Sequence, residues 1–326
     1  MEARLLIAFV LMFAVLFLTP YLYKQAPAQK SAQPATPQKT TEQTVKTPAQ
    51  AAAQAPAASA PAVKAPPSGK ASAPAGKAPA SSEKAPAPAV TQASSEQTYT
   101  VETALYKVTF TNRGATVKSW VLKKYHDLAG KPLELVSARG AGKTPAPMTI
   151  EFKDRKPDFD VNQALFVGKP AEDGSGIEYE YSNGQTVVKK SYRFRKDSYR
   201  SEVDSEVSAP GATLPHYLVW RGGFGDPTIQ NAPAVERTVY WDNADSRLFS
   251  KTASDAKNGP VNVSGAFVFA GIEDPYFTAV VLPGGSGTME LRTYADELPY
   301  GDKNERFVGA AIGGAGVNHL PLFVGP

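Results

Sequence analysis

Cysteine is absent from all 326 positions of the sequence. Its absence excludes disulfides, thiolate nucleophiles and cysteine-ligated zinc. Histidine is scarce. His126, His216 and His319 are the three in the chain, and no two stand at metal-ligand spacing. None lies in a motif that sets up a triad, so no catalytic, cofactor-binding or metal-ligating residue is assigned. Aromatic side chains are missing from residues 24–97, which are almost entirely Ala, Pro, Gln, Ser, Thr and Lys. A stretch without large apolar groups cannot offset the roughly 1–2 kcal/mol of backbone entropy lost per ordered residue. It reads as a disordered linker. A second long apolar run is missing too: nothing after Lys24 is apolar enough to cross a bilayer.

One such run is present at the start. Leu5 to Leu18 is unbroken by any polar residue, and no charge follows until Lys24. The whole segment approaches the roughly 20 residues that span a hydrocarbon core. Tyr21 and Tyr23 stand where interfacial aromatics belong, and Arg4 ahead of the run favours a cytoplasmic N-terminus. A cleaved signal peptide is the alternative, since its apolar core is typically about 7–15 residues long. The bulky aromatic flank favours an uncleaved anchor, which puts the lipid bilayer against residues 5–23. Both readings export everything beyond residue 24. The linker of about 74 residues would reach on the order of 50 Å as a flexible coil.

Charge separates along the same boundary. The net charge of +4 comes from the linker, where eight lysines face Glu42, Glu83 and Glu96. The rest of the chain beyond residue 97 holds 26 basic and 27 acidic residues. A neutral domain lacks the basic face that nucleic acid requires, so no nucleic-acid partner is expected.

From Thr98 onward the hydrophobic period is two. Tyr106 to Phe110 alternates, and so does Ile177 to Tyr181. Asn183-Gly184 then stands before the Val187–Phe194 run and predicts a two-residue hairpin of type I′. Further turns are expected at Asp173-Gly174, Lys196-Asp197-Ser198, Pro210-Gly211, Asn258-Gly259-Pro260 and Pro283-Gly284-Gly285. No window after residue 98 carries a capped amphipathic helix. The expectation is an all-β fold, a large antiparallel two-sheet β-sandwich. It comprises residues 98–326, preceded by one transmembrane helix (1–23) and the disordered linker (24–97).

Three glycine clusters, Gly222-Gly223-Phe224-Gly225, Gly284-Gly285-Ser286-Gly287 and Gly313-Gly314-Ala315-Gly316, lack the strand, helix N-terminus and Lys of a phosphate loop. They read as tight turns or bulges. The acidic pairs Glu273-Asp274 and Asp296-Glu297 point to opposite faces of a strand, and are expected to be solvated charge.

The order of these features carries a resemblance. Thr103 to Val136, with Asn112-Arg113-Gly114 and Leu122-Lys123-Lys124-Tyr125, is similar to the opening strands of the YidC membrane protein insertase family. Trp220-Arg221-Gly222-Gly223-Phe224-Gly225, Gly271-Ile272-Glu273-Asp274-Pro275-Tyr276-Phe277 and Leu322-Phe323-Val324-Gly325-Pro326 resemble later segments of its periplasmic domain. The resemblance implies a β-supersandwich related to the galactose-mutarotase group, placed in the periplasm and anchored in the cell inner membrane. It implies assistance to the insertion, folding and assembly of membrane proteins, with nascent membrane proteins and Sec translocon components as partners. The family inserts proteins through a later five-helix bundle. This chain ends where that bundle would begin, so it is expected to be an N-terminal portion, not an enzyme and not an insertase by itself. Two alternatives stay open: a carbohydrate-binding or mutarotase-like periplasmic protein, and a stand-alone anchored scaffold. The first needs a His and a carboxylate converging in a cleft.

Overall fold

A computed structural model describes residues 88–283 and 287–326. The chain divides into two units, Met1–Ala78 and Pro79–Pro326, and the described residues belong to the second. The expected membrane helix and the linker up to residue 87 lie outside the described residues, as does most of the glycine cluster at 284–287.

Period-two patterning became strands. In Gly176–Asn183, Ile177, Tyr179 and Tyr181 are buried and Glu178 and Glu180 exposed. In Val187–Phe194 the inward residues are Val188, Lys190, Tyr192 and Phe194. Among the described residues the longest α-helix is one turn, Ala232–Val235. The hairpin after Asn183 forms one residue later than expected. Asn183 and Thr186 pair across the turn, the Asn183 N–H donating to the Thr186 carbonyl at 3.3 Å. Gly184 and Gln185 are therefore the central residues. Positive φ is found at Gly184 (87°) and not at Asn183, which is the type II′ pattern with Gly first. Asn183 instead uses its Oδ1 to accept from the Gln185 and Thr186 N–H groups, at 3.0 and 2.8 Å.

Every pairing among the described strands is antiparallel, and the strands form three sheets of eleven, five and four. The eleven-stranded sheet has at its centre Val187–Phe194, Arg200–Ala209, Val317–Gly325, Thr278–Val281 and Phe267–Glu273. The five-stranded sheet runs in the order Val261–Gly265, Met289–Tyr300, Lys303–Gly313, His216–Trp220, Thr149–Phe152. The four-stranded one is a meander of Thr98–Glu102, Tyr106–Thr111, Thr116–His126 and Pro132–Glu134. The two smaller sheets share the second layer. Leu218, Trp220, Ala310 and Ile312 face Val203, Ala270, Leu320 and Leu322 of the large sheet around a cavity of about 40 Å³. From the four-stranded sheet, Phe110 meets Tyr192 at 4.6 Å and Trp120 meets Phe194 at 5.7 Å.

The two-sheet expectation is thus corrected by one seam. Between Glu134 and Thr149 the chain passes through Gly140, Gly142, Pro145 and Pro147. Proline has no N–H to donate, so no ladder can continue from one small sheet into the other there. Trp120 and Trp220 pack across the seam at 6.1 Å.

The fold also starts earlier than residue 98. Val90 and Thr91 pair with Asn183 and Ser182, and Ala93 N–H donates to Leu165 O at 3.0 Å. The Asn112 side chain accepts from Gln97 N–H at 2.7 Å and donates to Ser95 O at 3.1 Å. Aromatic content marks where a core is built. It does not mark an edge strand, which needs only backbone hydrogen bonds.

Lys190 interrupts the apolar set it belongs to. Its side chain is among the largest that are fully buried. Nζ donates to the carbonyls of Gly114 (2.9 Å), Ala115 (3.3 Å) and Met148 (2.5 Å). These three acceptors match the three protons of an ammonium. They belong to residues at φ 64°, 48° and 68°, a region that costs a non-glycine residue roughly 1–2 kcal/mol. One lysine of the large sheet thereby joins a turn of the four-stranded sheet to the residue that precedes Thr149–Phe152. Burial pushes its pKa down to about 7.

Candidate binding site

Along the seam lies an open groove of about 830 Å³. Its walls are the start of Thr116–His126 on one side and the residues leading into Thr149–Phe152 on the other, with the 137–147 segment along its length. The Thr116–His126 wall is closed by backbone and side chain together, with Val117 N–H donating to Pro147 O and Leu135 N–H to Trp120 O, both at 3.0 Å. Glu134 Oε1 accepts from the Trp120 N–H at 2.7 Å and the Val136 N–H at 2.9 Å, and the same carboxylate accepts from the Ser119 hydroxyl. Asn162 does the equivalent for Ile150, accepting from its N–H at 2.9 Å and donating to its carbonyl at 2.8 Å. Asn162 stands where a neighbouring strand would supply the same bonds to Ile150. The lining includes Gly140, Gly142, Pro145 and Pro147, so much of it is backbone. At the rim, Arg113 Nε meets Glu96 at 3.1 Å. Hydrogen bonds from Thr111 and then Arg113 hold the Glu96 carboxyl below the usual carboxylate range.

One end of the groove adjoins the Trp220–Gly225 turn. Arg221 Nε donates to Asp296 at 3.1 Å, and the Gly222 N–H reaches the other carboxylate oxygen at 3.1 Å. Asp274 clamps the far side of this turn. It accepts from Asp226 N–H at 2.8 Å through Oδ2, and from Tyr276 and Phe277 N–H at 2.7 and 2.6 Å through Oδ1. A Cβ on Gly225, where φ is 88°, would come within 1.9 Å of Asp274 Oδ2, so the glycine is required. The glycine motif and the Gly271–Phe277 segment are therefore one corner of the fold. Asp274 and Asp296 are each only 6 % exposed, which corrects their reading as solvated charge. Glu273 and Glu297 point the other way, as expected, to Arg237 (3.7 Å) and Arg306 (3.2 Å). Glu236 is buried behind the same corner, and burial pushes its carboxyl up to about 8. It accepts from the Phe224 N–H, while its Oε2 has no partner.

The outer face of the five-stranded sheet is a layer of stacked charge. Arg292 lies 4.0 Å above the Tyr217 ring and Arg221 lies 4.2 Å above Tyr294. Arg292 also meets Glu151 at 2.8 Å and the Tyr217 hydroxyl at 2.9 Å. Both tyrosine faces are covered by guanidinium, so neither offers a platform on which a sugar ring can stack.

The histidines are dispersed. His126 is the exposed last residue of the strand Thr116–His126. His216 is fully buried; Nδ1 shares a hydrogen with Leu214 O at 2.8 Å, and Nε2 accepts from Ser205 (2.9 Å) and Asn318 (3.2 Å). Burial lowers its pKa, and the bonds fit a neutral ring. His319 Nδ1 touches Asp204 at the edge of a shallow groove of about 460 Å³ on the outer face of the large sheet. Asp204 also accepts from Ser191 Oγ at 2.8 Å and faces Arg193 at 3.3 Å. The carboxylate thus sits between Ser and His, whereas a nucleophilic triad needs the imidazole between them. A sugar-opening pair needs its acid and base on separate substrate atoms; these two are bonded to each other. Among the described residues no cluster of three or more His, Cys, Asp or Glu is arranged to hold a metal ion.

The family model described as the YidC periplasmic domain matches residues 98–326. Several proteins named membrane protein insertase YidC are similar to this chain. That of Anaeromyxobacter sp. is 28% identical over 212 residues, covering 60% of this chain and 38% of that protein. For Geobacter sulfurreducens the figures are 28% over 212 residues, 59% and 37%. For Chlorobium limicola they are 24% over 263 residues, 73% and 43%. The matched stretch spans less than half the length of each of these relatives. Among solved structures, a galactose mutarotase-like protein from Lactobacillus casei is 11% identical with a TM-score of 0.46, over 70% of this chain and 99% of that one. At that score the likeness carries no argument about chemistry.

Proposed function

The chain belongs to the YidC periplasmic-domain family, and from that premise we propose that it is the accessory, periplasmic portion of a membrane protein insertase. Residues 1–23 anchor it in the cell inner membrane with the N-terminus in the cytoplasm. The linker joins the sandwich to that anchor. The sandwich assists the insertion, folding and assembly of membrane proteins by holding extended segments of the nascent chain, alone or beside Sec translocon components. It is not a catalyst.

The observation that carries the holding role is the seam groove. An extended peptide binds a sheet edge through main-chain hydrogen bonds, largely independent of sequence. A module that meets many different substrates needs that independence. The edge at Ile150 is closed by one side chain, Asn162, and an incoming strand can replace it, whereas at Trp120 the carbonyl already accepts from the Leu135 N–H. Displacement exchanges one set of hydrogen bonds for another, so binding is weak and reversible, as a transient holder requires.

The test is a photo-crosslinking residue at Ala141, in the groove, in the full chain fused to a family five-helix core. In cells producing a translocation-arrested membrane protein, Ala141 is expected to crosslink to the arrested chain. The same residue at Val167, on the large sheet, serves as control. Equal yields at both positions would remove the groove from the function.

A further inference from the structure

Leu128 is 85 % exposed and Tyr276 is 67 % exposed, the highest values for any large apolar side chain among the described residues. Single exposed apolar residues are ordinary. Their turns adjoin, and each turn is braced by hydrogen bonds. In the first, Asp127 N–H donates to Lys131 O and Gly130 N–H to Asp127 O, both at 2.9 Å. Asp127 Oδ1 also accepts from the Ala129 and Lys131 N–H groups at 2.9 Å. In the second, Asp274 accepts from the Tyr276 and Phe277 N–H groups. The turns pack together: Tyr125 meets Phe277 edge-on at 5.3 Å, and the Leu128 N–H reaches Thr228 Oγ1 at 3.4 Å. A flexible loop would fold its leucine back onto the surface; a braced one keeps it in water.

The charge around the two tips that has no partner of opposite sign is basic. Lys124 and Lys131 are exposed beside them, while Lys123 pairs with Glu102 at 2.9 Å. The acids nearby are committed: Asp127 to its own turn, Asp226 to Thr228, Glu273 to Arg237 and Asp274 to backbone. The strand Val317–Gly325 ends at this pole, with Gly325 opposite Thr278.

We propose that this pole is a lipid-contact surface, with Leu128 and Tyr276 seated in the headgroup region of an anionic bilayer and Lys124 and Lys131 facing its phosphates. Protruding apolar tips ringed by lysine suit a bilayer interface, where a leucine or tyrosine sinks on the order of 5–10 Å and each nearby lysine adds attraction. A protein interface asks for a flat, desolvated patch depleted of lysine. The proposal rests on the membrane anchoring set out above.

Because the chain has no cysteine, single labels are unambiguous. Leu128→Cys, Tyr276→Cys and Val317→Cys full chains are labelled with an environment-sensitive fluorophore and reconstituted in phosphatidylglycerol-containing vesicles. Val317 is 57 % exposed and lies at the other end of its strand, roughly 26 Å from Gly325 at about 3.3 Å per residue. Labels at 128 and 276 are expected to shift to the blue and to be quenched by brominated lipid at least about twofold more than at 317, given the insertion depth above. Quenching equal to that at 317 in chains that float with the vesicles overturns the proposal and leaves the anchoring intact. A blue shift without quenching means burial against protein and also overturns it. Chains that fail to float contradict both.

Discussion

The seam beneath Lys190 and the corner around Glu236 each bury an ionisable side chain, and they differ in how completely its hydrogen bonds are met. At the seam, three carbonyls face the three ammonium protons. At the corner, Glu236 Oε2 is buried with no partner. A satisfied buried charge acts as a tie; an unsatisfied one costs about 1–3 kcal/mol and favours the neutral acid. The two groups also load the pH axis in opposite directions. The folded pKa of Lys190 is depressed to about 7 from 10.5, so the unfolded chain binds more protons between those values and stability rises with pH across that window. The folded pKa of Glu236 is raised from 4.5 to about 8. Its contribution is complete below 4.5 and is lost as pH rises through 8. Taken together, the pair places a minimum of stability near neutral pH.

The largest effect is expected at the seam. Lys190→Met removes the donor and leaves the buried carbonyls of Gly114 and Met148 unmet, Ala115 O keeping the Tyr192 hydroxyl at 2.8 Å, a loss of roughly 2 kcal/mol or more in urea denaturation at pH 7. The rise in stability between pH 7 and 10.5 should vanish with it. A variant as stable as the parent at pH 7 would show that the carbonyls find water and that Lys190 ties nothing.

Glu236→Gln is expected to act in the other direction. It removes a group that must ionise in a buried site, so stability at pH 9 should rise on the order of 1 kcal/mol or more, and the decline from pH 4.5 to 8 should flatten. A gain at pH 4 equal to that at pH 9 would point to packing instead of charge.

Gly184→Val sets a baseline free of burial and charge. The nearest atom to an added Cβ is Val90 Cγ2 at 3.5 Å, so only the positive φ is penalised. The expected cost is about 1–2 kcal/mol, read as a lower melting temperature. An unchanged melting temperature would mean that the turn relaxes to another type.

Much of the sandwich was legible because alternation is a local signal. Ile177 to Tyr181 could be assigned to its faces from sequence alone, and the Asn-Gly dipeptide located the hairpin to within one residue. What alternation cannot show is how sheets divide. The seam depends on Pro145 and Pro147 meeting a strand far away in the sequence. Lys190 was equally hidden: it stands next to Lys189, and only register places one outside and the other in the core. Glu134 and Asn162, which close the groove, carry no motif at all. The aromatic-free composition that set the boundary at residue 97 missed Val90–Thr91 because edge pairing leaves no mark in side-chain type. The Trp220–Gly225 and Gly271–Phe277 segments were recognised separately; that Asp274 joins them is a tertiary fact.

The most direct test of function is complementation in cells depleted of their own insertase. A bilayer groove must offer polar groups inside hydrocarbon, and that takes several packed helices; the apolar segment Leu5 to Tyr23 contains no charged residue. Growth is expected to return when residues 1–326 are fused to a five-helix core of the family, and to fail with residues 1–326 alone. Rescue by residues 1–326 alone would contradict the accessory role and make this chain an insertase in its own right.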